Sequence, residues 1–257
     1  MTIDLWLVPA MAALGLVVGS FLNVCIHRLP RDQSIVSPGS RCGSCRRPLA
    51  WFENIPLVSY TVLRGQCRTC GAGISLRYPI VEALTGALFA AAWWWYGPGV
   101  LFVSRAIFGC ALIVLFTIDL EHHLLPNVIT LPGIVVGFAL SFLAEPGWVS
   151  SLLGILLGGG LLYATAEAYY RVRHEEGLGM GDVKMLAMIG AFLGWKLTFV
   201  TVMMPSIAGS VVGGLMILFG RGGMKTALPF GTFLALGAAL AAAVGPAVLE
   251  WYLGLWS

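Results

Sequence analysis

Apolar positions along this chain neither alternate nor recur on one face; they run on without interruption. Uncharged stretches occupy residues 5–26, 83–104, 124–144, 146–166, 197–220 and 226–249, with shorter ones at 106–118 and 185–195. About 20 apolar residues in a helix cross the hydrocarbon core of a bilayer, so six stretches qualify by length. Tyr96-Gly97-Pro98-Gly99 reads as a turn that splits the second of them into two helices. With 185–195 taken as a short or tilted helix, the pattern predicts about eight: 5–27, 79–96, 99–119 (absorbing Arg105), 127–144, 148–171, 182–194, 197–220 and 228–253. The predicted fold class is an all-α polytopic membrane protein.

Composition agrees. Of the 257 residues, 58% are hydrophobic and 11% charged, where soluble domains carry roughly a quarter charged. Mean hydropathy is +0.88. Placing residues 28–78 inside makes 120–126, 172–181 and 221–227 inner loops as well. Thirteen of the fifteen Lys and Arg residues then fall on that side, with Arg105 and Lys196 opposite. The positive-inside rule makes that face cytoplasmic and the N-terminus periplasmic. Segment 5–26 has no basic region before it and too long an apolar stretch for a cleaved signal peptide, so it reads as an anchor. The net charge of +3 follows from topology and gives no reason to expect a nucleic-acid partner.

Residues 28–78 are the only stretch resembling a soluble module. They hold Cys42-Gly43-Ser44-Cys45 and Cys67-Arg68-Thr69-Cys70, with 21 residues between the inner cysteines. Two such knuckles offer four thiolates to a tetrahedral Zn²⁺, and the reducing side of the membrane argues against disulfides. Four protein ligands close the coordination sphere, so the predicted role is structural; packed or redox-labile thiols are the alternative. Cys25 and Cys110 fall within helices and read as small buried apolar residues.

Among the twelve acids, Glu82, Asp119, Glu167 and Asp182 lie at or inside helix ends, where ionisable groups are costly and are functional candidates by default. Asp119 closes an apolar run and precedes LEHHLLPN; Asp182 follows Gly177, Gly179 and Gly181 and opens another helix. Each has an ordinary reading, Asp182 as a helix cap and Asp119 as a helix-end charge. Together, at one membrane face, they suggest a water-activating pair. Close carboxylates in a low dielectric do not both ionise, so one holds a proton while the other serves as base. The glycines would let the backbone approach an extended substrate.

At this point several stretches resemble the bacterial type IV prepilin peptidases, a branch of the GxGD-type intramembrane aspartyl proteases. They are GSFLNVCIHRLP at 19–30, the four-cysteine loop, ISLRYPIVE at 74–82, DLEHHLLPN at 119–127, GMGDVKM at 179–185 and LPFGTFLALGA at 228–238. The presenilin branch pairs GxGD with Pro-Ala-Leu, where this chain has Leu228-Pro229-Phe230-Gly231. The resemblance implies a bifunctional enzyme of the bacterial inner membrane. It would cut the leader from prepilins or secretion pseudopilins at the cytoplasmic face and methylate the new N-terminus with S-adenosylmethionine. The implied catalytic pair is Asp119 and Asp182, with Gly179 and Gly181 in the active-site loop and Cys42, Cys45, Cys67 and Cys70 on zinc. The first knuckle departs from the family's more frequent Cys-Pro-x-Cys but keeps its ligands. The domains expected are a first transmembrane helix at 1–27, a cytoplasmic loop domain at 28–78 that includes a methyltransferase region, and a protease core at 79–257.

The chain has no dinucleotide-type glycine fingerprint, so elimination leaves the 28–78 loop and adjoining helix ends as the cofactor site. Asn23, Arg77 and Glu82 are the candidates there. Interhelical hydrogen bonding by Asn23, and Arg77 as a topology charge partnered by Glu82, are the structural alternatives. No HExxH occurs, which removes a zinc metalloprotease. Tryptophans at 93–95, 148, 195, 251 and 256 fit an outer aromatic belt. Gly158-Gly159-Gly160, Gly213-Gly214 and Gly231 read as close helix packing. A proton- or cation-coupled transporter is the rival class. It would place acids near the bilayer centre and repeat one half of the chain in the other; no such repeat is visible. A zinc-loop assembly factor without catalysis is the second rival.

Overall fold

The computed structural model describes residues 5–174, 179–218 and 230–254. Gly177, the 221–227 loop, residues 228–229 of the last expected helix and Trp256 lie outside them, as does the packing expected at Gly213 and Gly214. The described residues form helices α1 (Val8–Arg28), α2 (Val58–Val62), α3 (Arg77–Tyr96), α4 (Val100–His122), α5 (Asn127–Leu140), α6 (Trp148–Arg173), α7 (Met180–Leu218) and α8 (Phe230–Gly254). Among them there is no strand, only isolated bridges at Arg41–Pro48 and Gln66–Gly73. The chain divides into two compact units, Met1–Val114 and Leu115–Ser257.

The all-helical expectation holds, and the count of eight spans is not confirmed. By length and apolarity, four helices among the described residues can cross a membrane: Val8–Arg31, Val100–His122, Trp148–Arg173 and Met180–Met203. Helix α5 stops at Leu140 rather than 144, because Ser141–Ala144 close in i→i+3 turns before Pro146 and Gly147, the latter at φ +83°. Its 14 residues reach only about 21 Å at 1.5 Å per residue, short of the hydrocarbon thickness. Helix α3 dilutes its apolar run with Arg77, Glu82 and three tryptophans. The expected pair 182–194 and 197–220 is present as the two legs of α7, separated at Gly194, whose φ of +74° and ψ of 171° no helix contains.

The first unit rests on α1 against α3. Glycines let the two backbones touch: a Cβ on Gly15 would fall 2.9 Å from the Gly86 Cα, and one on Gly19 would fall 2.8 Å from the Glu82 Cα. Trp93 belongs to this core rather than to an outer belt, 9% exposed and edge-on to Phe102 at 5.4 Å. Trp94, Trp95, Trp148, Trp195 and Trp251 are exposed as expected.

The second unit is built around the first leg of α7. Met185, Leu186, Met188, Ile189 and Ala191 are fully buried, with α5, α6 and α8 packed against that helix. Contact with α6 is backbone to backbone. A Cβ on Gly190 would overlap the Gly154 carbonyl, and one on Gly158 would lie 2.7 Å from the Leu186 oxygen; Ser151 Oγ donates to the Ala191 carbonyl at 2.8 Å. Small residues carry helix association in a bilayer, where apolar burial gives no net drive. Of the Gly158–Gly160 run, Gly158 makes the close approach, Gly159 meets the Ala187 Cβ at 3.3 Å, and Gly160 meets nothing within 4 Å.

Gly154→Leu and Gly190→Leu should each separate α6 from α7 and destabilise the protein by several kcal/mol, the usual cost of severe overpacking, while Gly160→Leu should be tolerated. Detergent-solubilised yield and thermal unfolding of the three variants would show the difference.

Candidate functional site

In the first unit the two cysteine knuckles repeat one backbone design. Cys42 N–H donates to the Arg47 carbonyl at 2.9 Å and Arg46 N–H to the Cys42 carbonyl at 3.0 Å; Cys67 N–H donates to Ala72 at 2.8 Å and Gly71 N–H to Cys67 at 2.9 Å. The matching residues Arg46 and Gly71 both take a left-handed conformation, at φ +57° and +69°. Each turn aims N–H groups at its first sulfur. Those of Cys70 and Thr69 hold the Cys67 thiol down at about 6, and those of Cys45 and Ser44 lower Cys42. The thiolate is the metal-binding form.

All four sulfurs lie within 4.8 Å of one another, and Cys42 Sγ is 3.8 Å from Cys70 Sγ. Tetrahedral Zn–S bonds of about 2.3 Å put sulfurs about 3.8 Å apart, so the cluster has the size a zinc ion requires. The loop is braced beside it by Arg47, which grips Glu53 through both nitrogens at 2.7 and 3.0 Å, while Glu53 Oε2 also accepts the Ala50 N–H at 2.8 Å. The Arg47 guanidinium, then the Ala50 N–H, hold the Glu53 carboxyl down at about 2.

Between this loop and the adjoining ends of α1 and α3 lies a cavity of about 300 Å³, at the lower bound for small-molecule sites. Asn23 and Glu82 both line it and Arg77 does not. Glu82 is not the ion-pair partner of Arg77 that the sequence suggested. Its Oε2 accepts the Leu57 N–H at 2.9 Å and the carboxylate takes the Ser20 hydroxyl, while the Arg77 guanidinium lies over the Tyr78 ring, 5.2 Å from its centroid.

In the second unit the structure brings Asp119 and Asp182 together. Asp119 sits in the last turn of α4, 5% exposed. Asp182 sits in the first turn of α7, half-buried, with its carboxylate returned to the Gly179 N–H, and the two acids are close enough for their charges to interact. Leu125 fills the space beside them: a Cβ on Gly181 would lie 2.9 Å from the Leu125 Cβ, and one on Gly231 would lie 3.0 Å from both Leu125 Cδ1 and Asp119 Oδ2. Lys184 Nζ donates to Asn127 Oδ1 at 2.9 Å, tying the two motif segments again. The remaining helix acid, Glu167, pairs on the surface with Arg171 at 2.8 Å.

Residues 13–96 match the Bacterial Peptidase A24 N-terminal domain, and residues 106–254 match the Type IV leader peptidase family. The chain belongs to the type IV leader peptidase family. Three relatives are each called prepilin leader peptidase/N-methyltransferase. The one from Myxococcus xanthus is 45% identical over 83% of this chain and 64% of its own length. Those from Stutzerimonas stutzeri and Pseudomonas aeruginosa are 34% and 33% identical, over 93% of this chain and 91% of theirs. No solved structure matches it.

For this leader peptidase family member, sequence reasoning passed over three residues at the aspartates. Thr232 donates to Asp119 Oδ2 twice, through its backbone N–H at 2.6 Å and its hydroxyl at 2.8 Å. Gly231, read as a packing residue, is packed against that same carboxylate, and Leu125 separates the two glycine positions. The available signal was the PFGT sequence at the start of α8: a helix's first turn has free N–H groups, and a small residue beside them lets an anion approach. Gly181 is likewise small because Leu125 abuts it, a reason distinct from the substrate approach expected of it.

Purified protein should carry about one equivalent of zinc, and Cys42→Ser or Cys67→Ser should abolish it, because structural zinc is held with high affinity through all four thiolates. Elemental analysis after dialysis against a weak chelator measures this; under half an equivalent would be the contrary result.

Proposed function

We propose that this protein cleaves the leader peptide of type IV prepilins or type II secretion pseudopilins and methylates the N-terminus so exposed. Family membership and the paired aspartates beside a fixed hydrogen-bond clamp support this, and the observation that carries it is the meeting of Asp119 with Asp182. Nothing in the second unit favours a transporter. The acid inside a helix, Glu167, is a solvated surface partner of Arg171.

Asp119 Oδ2 is fully engaged by Thr232, which donates to it twice. Any proton Asp119 carries in the cycle therefore resides on Oδ1, the oxygen left for a water or for a scissile carbonyl. One carboxylate takes the proton of the attacking water. The other, protonated, polarises the carbonyl and later gives its proton to the departing amine. A substrate helix in a bilayer has its peptide bonds satisfied internally, so the cleaved segment must unwind to present its carbonyl. Charge distribution supports an inner-face location, since leaders of this type stay on the side where the basic loops gather. We place the N-terminus in the periplasm, the enzyme in the inner membrane, and the protease core within 79–257.

Methyl transfer belongs in the cavity of the first unit, beneath the zinc loop. S-adenosylmethionine would supply an activated methyl group there. Asn23 and Glu82 offer acceptors for it, Tyr60 and Tyr78 offer flat faces, and the zinc-held loop 28–78 closes one wall. Zinc in this reading holds the loop's shape and takes no chemical part.

Asp119→Asn and Asp182→Asn should each lower cleavage at least about a hundredfold, the usual size of a general acid–base contribution, with folding preserved, while Glu167→Gln remains active. Mass measurement of a prepilin incubated with each variant reads the outcome; a folded aspartate variant that cuts at near-normal rate would remove the pair.

Thr232→Val should reduce cleavage by about tenfold, as expected on losing a hydrogen bond to a charged group, and Thr232→Ser should restore it. A shifted pH–rate profile in the valine variant, with substrate KM unchanged, separates positioning of Asp119 from general damage.

A further inference from the structure

The α1–α3 end of the cavity holds a polar arrangement that packing alone leaves incomplete. Asn23 is 2% exposed. Its Nδ2 donates to the Tyr78 carbonyl at 3.0 Å and the Gly19 carbonyl at 3.3 Å. Both partners are pure acceptors, so they fix which way the amide lies: nitrogen toward the helices, oxygen away from them. Oδ1 is then a buried acceptor with no partner on a residue that lines the cavity. An unmatched buried acceptor costs about 1–3 kcal/mol, and such a group asks for a donor.

Glu82 stands at the same level. Tyr78, which receives the Asn23 amide, is one helical turn before Glu82 on α3, and Gly19, the second acceptor, is the residue whose missing side chain lets α1 lie against the Glu82 Cα. Glu82 is 8% exposed and also lines the cavity. The groups that meet it, the Leu57 N–H and the Ser20 hydroxyl, carry no charge. The cavity's other acid, Glu53, is neutralised by Arg47 at 2.7 Å. Arg28, which also lines it, is spent on the carbonyls of Ser34, Pro38 and Gly39.

We propose that Asn23 Oδ1 and the Glu82 carboxylate form a recognition site for an ammonium group. A primary ammonium supplies three donors and one positive charge, enough to satisfy the Asn23 oxygen and both engage and neutralise Glu82. A metal cation would call for more oxygen ligands than this amide and carboxylate offer. This inference rests on the reading of the cavity as the methyl-transfer site. Two ligands of that reaction carry the group: the amino-acid end of the methyl donor and the N-terminal amine freshly exposed by cleavage. The site chooses one, and each choice has a distinct signature in binding.

Equilibrium binding by calorimetry to the full chain in nanodiscs tests this with four probes. They are S-adenosylhomocysteine, its analogue with the amine replaced by hydrogen, an apolar peptide with a free N-terminal amine, and the same peptide N-acetylated. If the site takes the cofactor's ammonium, deamination of S-adenosylhomocysteine costs at least about tenfold in affinity, the size of a charge-assisted hydrogen bond. Glu82→Gln then costs a similar factor for the parent compound and nothing further for the analogue. If it takes the cleaved substrate, the same pattern appears between the free and acetylated peptides. Asn23→Leu should repeat the result at lower magnitude, and the comparison of ligands on the unaltered chain decides even where a variant fails to fold. Binding of the probes with affinities within twofold, with and without the amine, would overturn the proposal and leave a water-filled corner. No binding of any of the four to the unaltered chain would instead remove the methyl-transfer reading itself.

Discussion

A carboxylate at the end of an apolar helix is stable only where other groups take over the role of water, and in the second unit that constraint falls on Asp119. Its answer is the first turn of α8: one backbone N–H and one hydroxyl, both from Thr232, converge on a single oxygen. Everything around the acid follows from admitting that turn. Gly231 has no side chain because one would collide with the carboxylate, and Leu125 occupies the remaining gap so that Gly181 can close in from the other side. The second aspartate thereby comes near enough to the first for their charges to interact. The clamp leaves one Asp119 oxygen committed and the other available, an asymmetry that two carboxylates need if they are to share one proton.

The first unit solves a different problem with the same economy of side chains. Helices α1 and α3 meet through Gly15, Gly19 and Gly86, which brings an amide and a carboxylate to one level under a loop too small to fold by hydrophobic burial. That loop is organised by two identical turns around sulfur and by the Arg47–Glu53 grip.

Much of this was legible in the chain. The helix pattern is set by where charge interrupts apolar runs, so α1, α3, α4 and α6 fall within a few residues of expectation, and the break before Trp195 is marked by Gly194. The cysteine spacing announced a four-sulfur cluster, and the two aspartates were among the four acids placed at or inside helix ends. Helix length was less legible than helix position, because an apolar run does not reveal where turns such as those at Ser141 end α5 early. Thr232 escaped notice because hydroxyls carry no period and no charge; its role exists only once α8 is brought to the end of α4. The partners of Glu82 were hidden for the same reason, as Leu57 contributes a backbone group that every residue has.

The break at Gly194 separates two lengths that a continuous helix would lock together. An α-helix turns about 100° per residue, so one residue inserted between Asp182 and Leu186 would swing the aspartate about a quarter turn away from Asp119 while the contacts at Gly154 and Gly158 held α7 in place. The same insertion beyond Gly194 would turn only the second leg. The second leg can therefore change in length without altering the register in which the acid is presented.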